Sequence, residues 1–585
     1  MTGFHTTDDF TKDATPAFAN TKMLALAAIG GLGMGAAVAG IRLSVGFMQT
    51  LLFGRDVNLY SPAGVPTWRI MLVTLIGGLI LGLFLKLAGR LGHLTIVDPV
   101  EANALEGGKM SLVDSLILVG LSIVSITIGG SVGFEAAMTQ LGAGILSFIG
   151  QRLQLERREL RILVACGTGA GLTAIFGAPL GGTFYALELV VGGYAMRALL
   201  PTLLASAMSS HVIYMVIGYQ PIFLASDIGP PALWHFPLAI VTGITAALIG
   251  IMVMRGTTRF ERSLNYAHVS VMAKPIVGGL ILGLISLKVP EVMGPGHNSI
   301  NEILAGHNSF VIIAIILFAK IAASIACVGS GFRGGLFSAS LLLGAALGYL
   351  VHGLFIVPLL GPGIPFDLAV VAGMAGVATS IIGTPIAIVL LVIETAGLQT
   401  GVVTTAITVI IASHLTRYWF GYSFSTWRFH IRGNDLFGPR DIGRLRELTF
   451  NDLPLNNPPR VLIDTSISSA VKKTSETDLN MIAVEEKNGR FVGLVTDHEL
   501  LDVLATPTMP LALCNLAKKP AFCVYVTEPL MKYIEKIGES SAGEIAVLDA
   551  NDRLIGLASE AAVLHRYLTE ILAADRDDAI QIINI

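Results

Sequence analysis

The chain has 585 residues, of which 53% are hydrophobic and only 14% charged, with a mean hydropathy of +0.72. Soluble globular chains carry about 25% charged residues, and the deficit here falls between about residue 20 and residue 425, which excludes an ordinary soluble globule. The net charge of −3 leaves no basic footprint for nucleic acid, and Cys166, Cys327, Cys514 and Cys523 show neither disulfide nor metal spacing.

Residues 1–19 are polar, hold Asp8, Asp9 and Asp13, and lack the basic, then apolar, then small-residue order of a signal peptide. They read as a short cytoplasmic tail. Apolar runs follow at 23–41, 70–87, 112–128, 201–217, 237–254, 275–287, 310–328, 336–360 and 368–393. Several approach the roughly 20 residues of a membrane-spanning helix, and others are short or broken by Gly and Pro. Arg152, Arg157, Arg158 and Arg161 cluster between two runs, as do Arg255, Arg259, Arg262 and Lys274. Both clusters are expected on the cytoplasmic side, and so is the region after Arg428, Arg432, Arg440, Arg444 and Arg446.

Within the apolar region one motif occurs twice. Gly167, Thr173, Ile175, Gly177, Pro179 and Glu188 return 206 residues later as Gly373, Thr379, Ile381, Gly383, Pro385 and Glu394. Upstream, Gly133-Phe134-Glu135 is echoed by Gly331-Phe332-Arg333. Two membrane halves with broken apolar segments at matching places predict a transporter or channel whose site lies where the halves meet. The halves divide near residue 220 of a membrane domain spanning 20–436.

Asp98-Pro99 has the cap and first-turn proline of a helix start. The glycine-rich entries 129–133 and 329–335 deliver two more. The first N–H groups of a helix lack internal partners and carry the positive end of its dipole, so helix starts meeting inside a membrane make an anion site that needs no fixed cation. Ionisable residues at membrane depth are functional candidates: Glu135, Arg333, Glu188, Glu394 and Asp98. The plainer readings are a first-turn glutamate for Glu135, a snorkelling side chain for Arg333 and an N-cap for Asp98.

From 437 to 585 charge returns, and strand–turn–strand–helix units begin near Asn480 and Glu544. Thr496 or Asp497, and Ser559, are the expected N-caps. The segments Phe-Val-Gly-Leu-Val-Thr-Asp and Leu-Ile-Gly-Leu-Ala-Ser-Glu, with Gly493 answered by Gly556, resemble a tandem pair of CBS domains. That resemblance implies an α/β tail that binds an adenine nucleotide or acts as a structural or dimerising element. No phosphate-cradling glycine loop is visible, and no other cofactor is expected.

Residues 95–436 resemble the CLC family of chloride channels and chloride/proton exchangers. The resemblance rests on Gly-Thr-Gly-Ala-Gly-Leu-Thr-Ala-Ile-Phe-Gly-Ala-Pro-Leu-Gly-Gly at 167–182 and Gly-Ser-Gly-Phe-Arg-Gly-Gly-Leu-Phe-Ser-Ala at 329–339. It implies an all-α polytopic fold with inverted repeats and broken helices, and a homodimer with one pore per subunit. Glu135 then stands at the gating glutamate, whose carboxylate mimics the anion and swings away when protonated. The amides of Phe134, Ala136, Leu336 and Phe337 match the backbone groups that face the anion. Three positions depart from the family pattern. Ile96 replaces the serine of the central site, with Thr95 out of register. Phe424, or Ser425 one position on, stands where the central tyrosine is expected. Leu189 replaces the second of two inner glutamates, which hands protons inward in many exchangers, while Glu188 keeps the first. Arg333 replaces a proline and aligns with Glu135 across the repeat.

The sequence therefore predicts a transport protein, not an enzyme. It is expected to pass chloride or a similar small monovalent anion through a glutamate-gated pore as a channel, in a lipid bilayer taken to be a bacterial inner membrane. A proton-coupled anion exchanger is the first alternative, favoured by Glu135 and opposed by Leu189. A transporter of another anionic nutrient, regulated through the tail, is the second. A nucleotide-binding regulator that uses the membrane part as an anchor is disfavoured by the duplicated pore motifs.

Overall fold

The computed structural model describes residues 21–54, 65–92, 97–218, 222–225, 235–306, 308–361, 365–397, 401–431, 448–474, 479–505, 513–520, 522–537 and 544–579. Side chains at 360, 425, 429–431, 535–537 and 570–579 lie outside that description. The chain divides into two compact units, Met1–Asp441 and Ile442–Ile585.

The first unit is helical. Its first half comprises α1 (Thr21–Phe53), α2 (Thr67–Arg90), α3 (Pro99–Ala104), α4 (Leu112–Thr127), α5 (Glu135–Arg152), α6 (Arg157–Phe176), α7 (Pro179–Tyr185, continued by a π turn, Ala186–Val191) and α8 (Met196–Ile217). The second half comprises α9 (His235–Tyr266), α10 (Lys274–Ser286), α11 (His297–Leu304), α12 (Phe310–Gly329), α13 (Phe337–Val351, prolonged to Leu360), α14 (Phe366–Ile382), α15 (Pro385–Ala396) and α16 (Val402–Trp419). Helix α17 spans Phe424–Ile431.

Among the described residues, seven helices are long and apolar enough to cross a membrane. Ile29, Leu43 and Phe47 on α1 and Leu72, Leu83 and Phe84 on α2 are exposed. Water would oppose such rows of large apolar side chains, whereas lipid accepts them. Arg255, Arg259 and Arg262 are not in a linker: α9 continues through Tyr266, so these arginines ride on its last turns, beyond the apolar stretch.

The two halves repeat each other element by element. Their opening helices have 33 and 32 residues. Helix α1 packs on α6 and α8, and α9 packs on α14 and α16; α5 lies against α6 as α13 lies against α14. The duplicated motif has two physical causes. Gly177 and Gly383 end α6 and α14 in the left-handed region, with φ of 62° and 87°, and Pro179 and Pro385 start α7 and α15 at their first turns. A left-handed glycine that stops one helix and a proline that starts the next make the Gly-x-Pro signature. The second cause is close approach. A Cβ on Gly167 would sit 2.1 Å from the carbonyl oxygen of Gly142, and one on Gly373 would sit 2.2 Å from that of Gly344. Backbone meets backbone at both crossings, the packing mode that small residues permit in membranes.

Among its described residues, the second unit holds two three-stranded sheets. One orders β1 (Arg460–Leu462), β2 (Met481–Glu485) and β3 (Phe491–Thr496); the other orders β4 (Cys523–Tyr525), β5 (Glu544–Leu548) and β6 (Leu554–Ser559). In each, the first pair is parallel and the second antiparallel, with Val484 opposite Gly493 and Val547 opposite Gly556. Both sheets are irregular at the same place, after Val484 and after Val547. Ala483, Phe491, Ala546, Leu548, Leu554 and Leu557 form one apolar cluster drawn from both sheets. Of the expected caps, Thr496 rather than Asp497 caps the helix Asp497–Ala505, in a reciprocal arrangement with Glu499. Ser559 accepts the Ala562 N–H at 3.1 Å.

Candidate anion pathway

Two helix starts from opposite halves meet inside the membrane unit. Helix α5 begins at Glu135 after Phe134, and α13 begins at Phe337 after Leu336; neither start carries a side-chain cap. Their entry loops are tied by a two-way bridge, in which the Gly133 N–H donates to the Gly335 carbonyl at 2.9 Å and the Gly335 N–H to the Gly133 carbonyl at 3.0 Å. Ala136, on the first turn of α5, is exposed, so open space reaches this helix start. Helix-start N–H groups and two positive dipole ends thus converge on one point, where the N–H groups of Glu135 and Ser338 bond the Glu135 carboxylate.

The Glu135 carboxylate occupies that point. Glu135 is 2% exposed. Its side chain folds back over the entry loops so closely that a Cβ on Gly133 would overlap Oε2, and one on Gly335 would lie 3.3 Å from it. The Ser338 hydroxyl, on the second residue of α13, donates to Oε1. Ser338 Oγ also lies 3.2 Å from Nε2 of the buried His297, at the start of α11. Nearby, the fully buried Lys320 of α12 points its ammonium at the carbonyls of Val292 and Gly294, at 3.0 and 2.7 Å. Phe337 packs against Phe176 at 5.2 Å between ring centres and meets Tyr185 edge-on at 6.1 Å. A buried carboxylate at two helix starts is where a small anion would be held, and the carboxylate competes with it.

Other sequence-derived positions fall as follows. Asp98 is the N-cap of α3, accepting the Val100 N–H at 2.8 Å, with Pro99 in the first turn. Ile96 lies outside the described residues, as does the side chain of Ser425. Phe424 starts α17, packs on the main apolar core, and lies 5.8 Å from the Arg428 guanidinium. Leu189 is 7% exposed in an apolar cluster with Val100, Met110, Ala143 and Val164.

Arg333 is not the fold counterpart of Glu135. The sequence echo aligns Gly133 with Gly331, whereas the structure pairs Gly133 with Gly335. Phe337 therefore stands opposite Glu135 as the first helical residue, and Arg333 falls in the entry loop, its N–H donating to Ser125 Oγ at 3.0 Å. The side chain that reaches the glutamate from the second half is Ser338.

Glu188 and Glu394 cap each other's half. Glu188 accepts the N–H groups of Ile386 and Ala387 at 3.2 and 2.8 Å, at the start of α15. Glu394 accepts those of Leu180 and Gly181 at 3.0 and 2.7 Å, at the start of α7. Tyr194 adds a hydroxyl to Glu188 at 2.8 Å. The conspicuous spacing of these glutamates thus reports a reciprocal cap that joins the halves.

Sequence reasoning missed Lys320, His297, Ser338 and Tyr185. Lys320 carried a usable signal, a lone lysine inside the apolar run 310–328. The other three have no spacing signature and come together only through the fold.

A family model described as voltage gated chloride channel matches residues 77–417. The chain belongs to this family. A CBS domain model matches residues 450–506, and the second sheet repeats that topology. A putative chloride channel protein ClcB-like from Ralstonia nicotianae is 30% identical over 381 residues, covering 64% of this chain and 88% of that protein. The voltage-gated ClC-type chloride channel ClcB of Escherichia coli O81 is 29% identical over 410 residues, covering 68% and 96%. Among solved structures, a slow cyanobacterial Cl−/H+ antiporter superposes with a TM-score of 0.61 at 22% identity, covering 70% of this chain and 98% of that one. A CLC-type fluoride/proton antiporter gives 0.59 at 22%, covering 70% and 99%. A eukaryotic CLC transporter gives 0.58 at 17% but extends over 92% of this chain and 98% of its own, tail included. These likenesses establish the CLC fold.

Proposed function

We propose that this membrane protein passes chloride passively, through a pathway that runs between the starts of α5 and α13 and is gated by Glu135. The observation that carries the reading is the Glu135 carboxylate lying over the meeting point of two uncapped helix starts. When the side chain leaves, the N–H groups of Phe134, Ala136, Leu336 and Phe337 take the anion, and the Tyr185 phenol stands beside Phe337 as a side-chain donor. This donor offsets the hydroxyls lost at Ile96 and Phe424. Arg333 adds positive charge in the loop that leads to α13.

The absence of a proton carrier at Leu189 favours a channel over an exchanger. The competing reading, exchange of chloride for protons, draws on the buried Glu135 carboxylate itself. A reversal potential measured in planar bilayers separates the two. For the channel it follows the chloride gradient alone and ignores an imposed proton gradient. A shift with the proton gradient would establish exchange.

The protein acts as a homodimer in a bacterial inner membrane with its tail in the cytoplasm. The first sheet of the tail borders an open cavity of about 600 Å³ lined by Asp464, Thr465, Ser466, Ser468 and Leu504. That volume, with hydroxyls beside the apolar Ile463, Ile467 and Leu513, suits an adenine nucleotide. A melting-temperature rise of the full-length protein with ATP supports this assignment, and no shift at millimolar ATP counts against it.

A further inference from the structure

We propose that Ser338 and His297 form a hydrogen-bonded latch that holds the Glu135 carboxylate across the anion pathway, and so set how much chloride is needed to displace it. The proposal rests on the reading of Glu135 as the gate and deepens it, since it names what holds the gate shut.

The supply of hydrogens sets the direction of these contacts. A serine hydroxyl has one hydrogen, and that of Ser338 goes to Glu135 Oε1. The contact between Ser338 Oγ and His297 Nε2, 3.2 Å long, must then run the other way, with His297 donating. The chain is directional: imidazole N–H to hydroxyl, hydroxyl to carboxylate. Such a chain polarises the hydroxyl and strengthens its bond to the anion.

His297 is fixed for this task. Its ring lies 5.9 Å from Phe176 and 5.8 Å, edge-on, from the buried Phe223. The other carboxylate oxygen, Oε2, is buried with no hydrogen-bond partner among the described residues. The Ser338 hydroxyl is therefore the side-chain donor that holds Glu135, beside the backbone N–H groups of Glu135 and Ser338. Behind the pair lies a cavity of about 10 Å³ bordered by Arg42, Phe134, Pro295, His297 and Ser338. It has room for about one water and none for a displaced carboxylate, so the gate opens toward the exposed side at Ala136. Both latch residues belong to the second half and the gate to the first. The latch thus works across the repeat boundary, at the place where the sequence echo had put Arg333.

Ser338 and His297 are positioning residues: they act on the anion through its competitor. Removing the hydroxyl weakens the carboxylate's hold and leaves the anion's own backbone donors in place. A hydrogen bond to a charged group is worth about a tenfold change in such an equilibrium. At one fixed pH, with Lys320, Arg42, Asp98 and Tyr185 unaltered, Ser338→Ala is expected to lower the chloride concentration for half-maximal flux about tenfold, with the maximal rate little changed. Ser338→Thr restores the wild-type value. His297→Phe, which keeps the ring and removes the donor, lowers it by a smaller factor.

The test is chloride efflux from liposomes across a series of chloride concentrations, on variants that elute with the wild type in gel filtration. It includes Glu135→Ala and the double variant Glu135→Ala/Ser338→Ala. The latch predicts that Ser338→Ala changes nothing once Glu135 is gone. A Ser338→Ala shift that persists in the Glu135→Ala background would overturn the latch, because the hydroxyl would then act on the anion directly. Half-saturation in Ser338→Ala within twofold of wild type, while Glu135→Ala frees the flux, would overturn the latch and leave the gate standing. Flux in Glu135→Ala identical to wild type would overturn both.

Discussion

Removing one of the reciprocal caps, Glu188 or Glu394, separates a structural role from a proton-handling one. Each carboxylate accepts two backbone N–H groups at the start of a helix in the other half, at distances from 2.7 to 3.2 Å. Side-chain hydrogen bonds between membrane helices average about 0.6 kcal/mol and reach about 1.7. Charge on the acceptor roughly doubles such a bond. Two bonds per site then give about 2–3 kcal/mol lost in Glu188→Ala or Glu394→Ala, with two N–H groups left without a partner. Glu→Gln keeps one accepting oxygen and is expected to cost about half as much. Glu188→Ala costs slightly more than Glu394→Ala, because Glu188 also holds Tyr194. Helices α7 and α15 pack on each other, so the double variant is expected to lose less than the sum. The assay is thermal unfolding of purified protein in detergent, followed by gel filtration after heating. Both Ala variants melt several degrees lower than wild type, with the Gln variants between. Wild-type melting of Glu188→Ala and Glu394→Ala would refute the capping account. Wild-type melting with lost proton sensitivity of flux would instead make Glu188 a proton carrier.

Further outcomes follow from the same geometry. Gly167→Ala and Gly373→Ala each place a Cβ within about 2.2 Å of a backbone oxygen; overpacking of this kind costs about 1–3 kcal/mol, and both variants are expected to yield less folded protein by gel filtration. Tyr185→Phe removes the hydroxyl of the ring that meets Phe337 edge-on and is expected to raise the half-saturating chloride concentration several-fold, with unchanged melting. In the tail, the hydrogen bond from Tyr533 and the nearby Lys532 ammonium hold the Glu528 carboxyl below the usual carboxylate range. A folded-state value below the unfolded one gives stability that is present above the ordinary carboxylate value and lost as pH falls through the folded one. The protection of the amides in residues 522–537, relative to the intrinsic exchange rate at each pH, is therefore expected to fall on acidification, and Glu528→Gln to lack that pH-dependent part.

How legible the fold was depends on the signal. The inverted repeat could be read from sequence because its causes are local: a left-handed glycine, a helix-starting proline and a glycine at each backbone crossing. The tail was legible for the same reason, through Gly493 and Gly556 and the caps Thr496 and Ser559. Glu135 was legible because a carboxylate in an apolar run stands out. The register between Glu135 and Arg333 was not. The sequence echo aligns Gly133 with Gly331, four residues short of Gly335, and the bridge from Gly133 to Gly335 shows which pair is equivalent. Ser338 and His297 gave no signal because a serine and a histidine 41 positions apart acquire meaning only when α11 and α13 are packed. The motif glutamates cap helix starts across the two halves, a role that their spacing alone does not show.

Chloride flux from liposomes containing Glu135→Gln tests the central claim most directly. Gln keeps the shape of the side chain and removes the charge with which it competes for the helix starts. The account predicts chloride flux well above wild type at low chloride and indifferent to an imposed proton gradient. Flux in Glu135→Gln equal to wild type, with the same chloride dependence, would contradict it.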